Sequence, residues 1–150
     1  AEVDLGEVLG RAVCHSMGNP HAVAFVDDVE AINLEKIGPA IEYDGLFPDR
    51  INLSIVQRQG DDLFRMRVWE RGAGVTMACG SGACATGVAI ARRGIGGRKN
   101  RIIMDGGIIT IDWQDDGSIG GRVVMTGEVS YAYYGFMEGA LGEVLEAADG

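Results

Sequence analysis

A chain of 150 residues, 47% of them apolar, is long enough to bury a real core and short enough for one domain. Its net charge of -9 and pI near 4.6, with basic side chains gathered only at Arg92, Arg93 and 98–101, argue against a nucleic-acid binder, and no apolar run is long enough to span a bilayer. Three cysteines do not make a disulfide framework, and the opening A-E-V-D-L-G-E-V has neither a basic nor an apolar leader segment, so a reducing, cytoplasmic location is expected.

In chain order, residues 12–17 (A-V-C-H-S-M) and 21–26 (H-A-V-A-F-V) read as short strands around a Gly18-Asn19-Pro20 turn. Asn33 is placed to cap a short helix over 34–42, with Leu34, Ile37 and Ile41 on one face and Pro39 as an obstacle inside it. Residues 50–57 alternate as a half-buried strand does, setting Ile51, Leu53 and Ile55 against Asn52 and Ser54. Gly60-Asp61-Asp62 turns this strand into another over 63–69.

Residues 70–84, E-R-G-A-G-V-T-M-A-C-G-S-G-A-C, follow. They connect the strand to an apolar run of helical length, so Cys79 falls at or just before a helix start. The helix is apolar almost all round through Ala83, Cys84, Ala85, Val88, Ala89, Ile90 and Ala91, until Arg92, and such a helix is buried. Beyond Gly94, residues 101–104, 108–113, 119–126 and 129–136 read as an antiparallel meander, and 139–148 as a short terminal helix. The whole predicts one α+β domain over 1–150, in which a curled, mostly antiparallel, barrel-like sheet wraps a buried central helix.

A helix start carries unpaired N–H groups and partial positive charge, and Gly80, Ser81 and Gly82 have little side chain to keep an anion away from them. The same field favours a thiolate, so the Cys79 pKa is expected to fall below about 8.5 by roughly one to several units. Bland readings stand beside this one. A lone cysteine is most often a small buried hydrophobe, which suffices for Cys14 and Cys84. Cys79 and Cys84 sit about 140° apart round a helix, and with only two histidines, His15 and His21, no metal site is expected. Glu70 and Arg71 read as a solvated strand end, Asn19 and Asn52 as turn and strand residues, and His21 as a capped turn histidine. Adjacency to the thiol loop gives Glu70 and Arg71 a second meaning.

Four segments, S-M-G-N-P-H-A-V at 16–23, F-P-D-R-I-N at 47–52, E-R-G-A-G-V-T-M-A-C-G-S-G-A-C-A at 70–85 and M-T-G at 125–127, resemble the diaminopimelate epimerases in order and spacing. Members of that family have two similar halves, each giving one catalytic cysteine to the cleft between them, and this chain resembles the second, C-terminal half, with the N-terminal half absent. Ser81 stands where the family usually has Thr, and Glu128 where it usually has Pro. The resemblance implies an isomerase that converts LL- to meso-diaminopimelate in lysine and peptidoglycan biosynthesis without cofactor or metal. Cys79 is then one of two acid/base thiols, Glu70 receives a substrate ammonium, and Arg71 with Asn19 and Asn52 receives the distal carboxylate. The N–H groups around Gly80 and Ser81 receive the other carboxylate, and His21 sits near the partner cysteine. The implied partners are a small diamino dicarboxylic acid, the missing half and a second copy in a homodimer, and the chain by itself is expected to be inactive. A truncated, non-catalytic anion-binding module and another amino-acid racemase or isomerase of the same fold are the alternatives. Lys36 and Lys99, the only lysines, suggest no pyridoxal phosphate site.

Overall fold

The computed structural model describes residues 1–118 and 120–135. Their elements are β1 (Glu2–Asp4), β2 (Arg11–Ser16), β3 (Pro20–Phe25), α1 (Leu34–Glu42), β4 (Asn52–Arg58), β5 (Leu63–Glu70), β6 (Gly74–Thr76), α2 (Gly80–Arg93), β7 (Lys99–Met104), β8 (Gly107–Gln114) and β9 (Arg122–Gly127). The strands form one sheet in the order β1-β2-β3-β4-β5-β7-β8-β9, with β6 added to β5. Two pairings, β3–β4 and β5–β7, are parallel, and the others among the described residues are antiparallel. A parallel pair needs a long crossover, and these two crossovers carry α1 and α2.

The helices cover separate cores. Leu34, Ile37 and Ile41 of α1 pack with Ala22, Ala24, Leu53 and Ile55, whereas Ala83, Ala85, Ala89 and Ile90 of α2 pack with Val23, Val56, Phe64, Met66 and Ile111. The period of two along a strand therefore sends Leu53 and Ile55 toward α1 and the alternate positions Asn52, Ser54 and Val56 toward α2. Asn52 and Ser54 are 4% and 0% exposed, so β4 is covered on both faces rather than half-buried. Asn33 caps α1 as expected, its side chain accepting the Lys36 N–H at 3.0 Å, and Pro39 is accommodated inside the helix.

On α2, Gly82, Ala83 and every residue from Ala85 to Ile90 are buried. The helix packs against β2, β3, β4, β7, β8 and β9. It ends at Gly94, whose φ of 66° is the left-handed cap a glycine adopts without steric cost. No helix among the described residues is long and apolar enough to cross a membrane.

Three expectations are corrected. The sheet does not close into a barrel: among the described residues β1 pairs only with β2 and β9 only with β8, and both carry the charged residues typical of open edges, Glu2 and Asp4 on one and Arg122 on the other. Residues 129–135 form no strand, because Val129, Tyr131, Tyr133 and Tyr134 are all more than four-fifths exposed and find no sheet partner among the described residues. Phe136 and the helix expected over 139–148 lie outside the described residues. The connection over 72–78 is also more ordered than its composition suggests, since β6 pairs back on β5 through Val68↔Thr76 and Glu70↔Gly74.

Candidate active site

Strand direction decides which side chains meet. β3 and β4 run parallel with His21 opposite Asn52, and β5 returns antiparallel with Leu53 opposite Trp69. The beginnings of β3 and β4 and the end of β5 thus share one end of the sheet, where α2 also begins. Asn19, His21, Asn52, Glu70, Cys79 and Ser81 converge there.

Cys79 is the N-cap residue of α2, in extended conformation at φ -140° and ψ 105°, and its side chain makes no capping bond. Its carbonyl accepts the Ala83 N–H at 2.9 Å, which leaves the sulfur to face the site. The sulfur lies 3.6 Å from Ser81 Oγ, and the Gly82 N–H and the Glu70 carboxylate are near enough to act on its ionisation. The fit at Gly82 is close: a Cβ there would lie 3.2 Å from Cys79 Sγ and 3.3 Å from Ser54 Oγ, so those side chains would have to give way slightly. Glu70 is fixed in turn by Thr76, whose hydroxyl donates to Oε1 at 2.5 Å.

The expected fall in the Cys79 pKa is overturned. Burial raises it above the ordinary thiol value, and the neighbouring Glu70 carboxylate raises it further, while the Ser81 hydroxyl and Gly82 N–H pull the other way without prevailing. Cys79 is 6% exposed, so the cost of taking a thiolate out of water outweighs the helix start. The resting group is a thiol. Cys84 and Cys14 are likewise raised by burial and remain free thiols.

A pH prediction follows from the signs. Because the Ser81 hydroxyl lowers the Cys79 pKa, Ser81→Ala should move the midpoint of Cys79 alkylation by iodoacetamide to higher pH. Peptide mass spectrometry across a pH series measures it residue by residue, and an unchanged or lower midpoint would contradict the contact.

The polar residues around the thiol form linked bonds. Asn19 Nδ2 donates to Ser81 Oγ at 3.4 Å, and Asn19 Oδ1 accepts from His21 Nε2 at 2.9 Å. His21 is fully buried, and burial lowers its pKa to about 4, helped by His15. It is therefore neutral at neutral pH, with the proton on Nε2 and no partner for Nδ1 among the described residues. His15, its cross-strand neighbour, bonds through Nε2 to the Ala85 carbonyl of α2 at 2.9 Å. Asn52 bridges backbones: Nδ2 donates to the Pro20 carbonyl at 2.8 Å, and Oδ1 accepts the Arg71 N–H at 2.9 Å. The exposed Arg71 guanidinium is steadied through Nη1 on the Asp49 carbonyl at 2.8 Å and keeps donors turned to solvent.

Three further residues belong here that the spacing of the sequence did not single out. Ser54 places a fully buried hydroxyl, without a partner among the described residues, against the Gly82 position. Thr76 holds Glu70. Met125 of β9 comes within 3.4 Å of where a Gly80 Cβ would stand, which brings the M-T-G segment to the start of α2; that segment was the available signal for it. No three His, Cys, Asp or Glu side chains gather in a metal-holding group among the described residues.

Residues 13–132 match the sequence model of the diaminopimelate epimerase family. The chain is 54% identical over 124 residues to the diaminopimelate epimerase of Bacteroides thetaiotaomicron, covering 83% of this chain and 45% of that protein. It is 54% identical over 127 residues to that of Rhodospirillum centenum, covering 85% and 42%. The chain thus spans about half the length of the curated relatives it matches. Among solved structures it is similar to a hydroxyproline epimerase from Agrobacterium vitis with bound trans-4-hydroxy-L-proline, at TM-score 0.53 and 18% identity over 83% of this chain and 43% of that one. It is also similar to a PhzF-family phenazine biosynthesis protein from Bacillus anthracis, at TM-score 0.52 and 22% identity over 76% and 37%. These two likenesses are of fold.

Proposed function

The chain belongs to the diaminopimelate epimerase family, and from that premise we propose that it is one wall, the C-terminal half, of a two-thiol epimerase site for diaminopimelate. Cys79 is one of its two acid/base groups. The observation that carries this reading is the buried thiol at the start of α2, with Ser81 3.6 Å from its sulfur and Glu70 near enough to raise its pKa.

Inverting an α-carbon without a cofactor means removing a weakly acidic C–H proton from one face and returning one to the other. Two groups facing each other are required, one arriving unprotonated and one protonated. A thiol whose pKa is raised holds its proton at rest and so suits the donating role in one direction. In the other direction Cys79 must ionise, and Ser81 and the Gly82 N–H favour the charge that then forms. Glu70 serves as acceptor toward the thiol and toward a substrate ammonium. The N–H groups at Gly80 and Ser81 hold the carboxylate next to the reacting carbon, which spreads the carbanion's charge. Arg71, Asn19 and Asn52 form the pocket for the distal carboxylate, and His21 faces the thiol of the other half.

Arg71 offers a direct check. A planar guanidinium grips a carboxylate through two parallel bonds, and an ammonium does not. Arg71→Lys, in an enzyme completed with an upstream half, should raise KM for diaminopimelate by about tenfold or more with a smaller change in kcat. An unchanged KM would give Arg71 a purely structural part.

A further inference from the structure

Glu42 lies at the end of α1, away from the thiol loop in sequence, yet its side chain is 2% exposed. A carboxylate so buried is stable only with partners, and each of its oxygens has one. Oε2 accepts the Trp69 indole N–H at 2.7 Å, and Oε1 accepts the Gly72 backbone N–H at 3.0 Å. The Arg50 guanidinium stands 3.6 Å from Oε1. Trp69 and Gly72 flank Glu70 and Arg71, so one carboxylate grips the chain on both sides of that pair.

The approach is built into α1. A Cβ at Gly38 would run into the Trp69 ring, so Gly38 lets the indole lie on the helix, one turn before Glu42. On the other side of the same turn, Asn52 holds the Arg71 N–H. Between Glu42 and Asn52, the backbone N–H groups of two successive residues, Arg71 and Gly72, are both committed to buried side chains.

We infer that Glu42 is a positioning residue for substrate binding: through the Gly72 N–H it fixes the turn from which Glu70 and Arg71 reach the substrate. This rests on the function proposed above. Glu42→Gln keeps the side chain's volume but leaves one oxygen for two donors, so either the indole or Gly72 loses its acceptor. The indole bond is the shorter of the two, and Gly72 is the donor expected to be released.

Two readouts test this in the enzyme completed with an upstream half. Amide hydrogen exchange at Gly72, which needs no substrate, should accelerate by about tenfold or more in Glu42→Gln. KM for diaminopimelate should rise about tenfold while kcat stays within about twofold. Trp69→Phe removes the indole N–H together with part of the ring that lies on Gly38 and Gly74 but leaves Gly72 its own acceptor on Glu42, so exchange at Gly72 should stay within about twofold of the unsubstituted value. If Glu42→Gln does not fold, Glu42→Asp, which keeps the charge and draws the oxygens back by one methylene, is read in the same way. Gly72 still protected, or KM unchanged beside a lowered Tm, would overturn the inference and leave Glu42 a folding residue. No turnover of diaminopimelate by the unsubstituted enzyme would instead overturn the function on which the inference rests.

Discussion

Replacing Cys79 with alanine, in an enzyme completed with an upstream half, should lower kcat for epimerisation by about a thousandfold or more. A positioned acid or base contributes roughly a hundred- to ten-thousandfold, and here the lost group is the only one proposed on its face of the substrate. KM should change far less, because Arg71, Asn19 and the N–H groups of Gly80 and Ser81 are untouched. The variant should also fold. Cys79 makes no capping bond, and removing a small buried sulfur leaves Ala83, Ala85 and Ile90 in the core. Chiral chromatography of the two diaminopimelate isomers follows the rate. A kcat within a fewfold of the unsubstituted enzyme would remove Cys79 from the chemistry.

An effect of similar size is expected between this chain by itself and the same chain joined to an upstream half. The chain should unfold cooperatively, since its two cores draw on strands and helices throughout residues 5–123, yet it should not epimerise. One thiol cannot serve both faces of a planar carbanion. A covalent link is the fairer comparison, because ordering an interface between unlinked domains costs several kcal/mol. Turnover by the chain alone, unaffected by Cys79→Ala, would contradict the two-group requirement.

What the sequence disclosed and what it withheld divide along physical lines. The Asn33 cap, the Gly18-Asn19-Pro20 turn and the position of Cys79 before an apolar helix are local features, set by residues a few positions apart, and each could be read directly. The Cys79 pKa could not. The helix start is a local effect, whereas the burial that overrides it comes from the sheet and from Glu70, nine residues away in sequence. Alternation along β4 was equally deceptive. Asn52 and Ser54 look like a solvent face, but that face is turned toward α2, and its polar atoms serve the site and the backbone around it. Glu42 carries no local signal, because its partners, Trp69 and Gly72, are far along the chain. Residues 129–135 show the opposite failure: V-S-Y-A-Y-Y-G has strand propensity, and propensity without a neighbouring strand does not make one. The family motifs carried the remaining site residues, and M-T-G carried a position, beside Gly80, that no spacing rule supplies.

The most direct measurement is deuterium incorporation at the α-carbon during the first turnovers in D2O, using the enzyme completed with an upstream half and one pure diaminopimelate isomer. With two groups on opposite faces, the product isomer should carry solvent deuterium while the recovered substrate keeps its protium. Cys79→Ala should form no product isomer, and any exchange left should be confined to the isomer whose proton faces the remaining thiol. Early deuterium in both isomers alike, or product formation that persists without Cys79, would contradict a two-thiol site with Cys79 as one of its members.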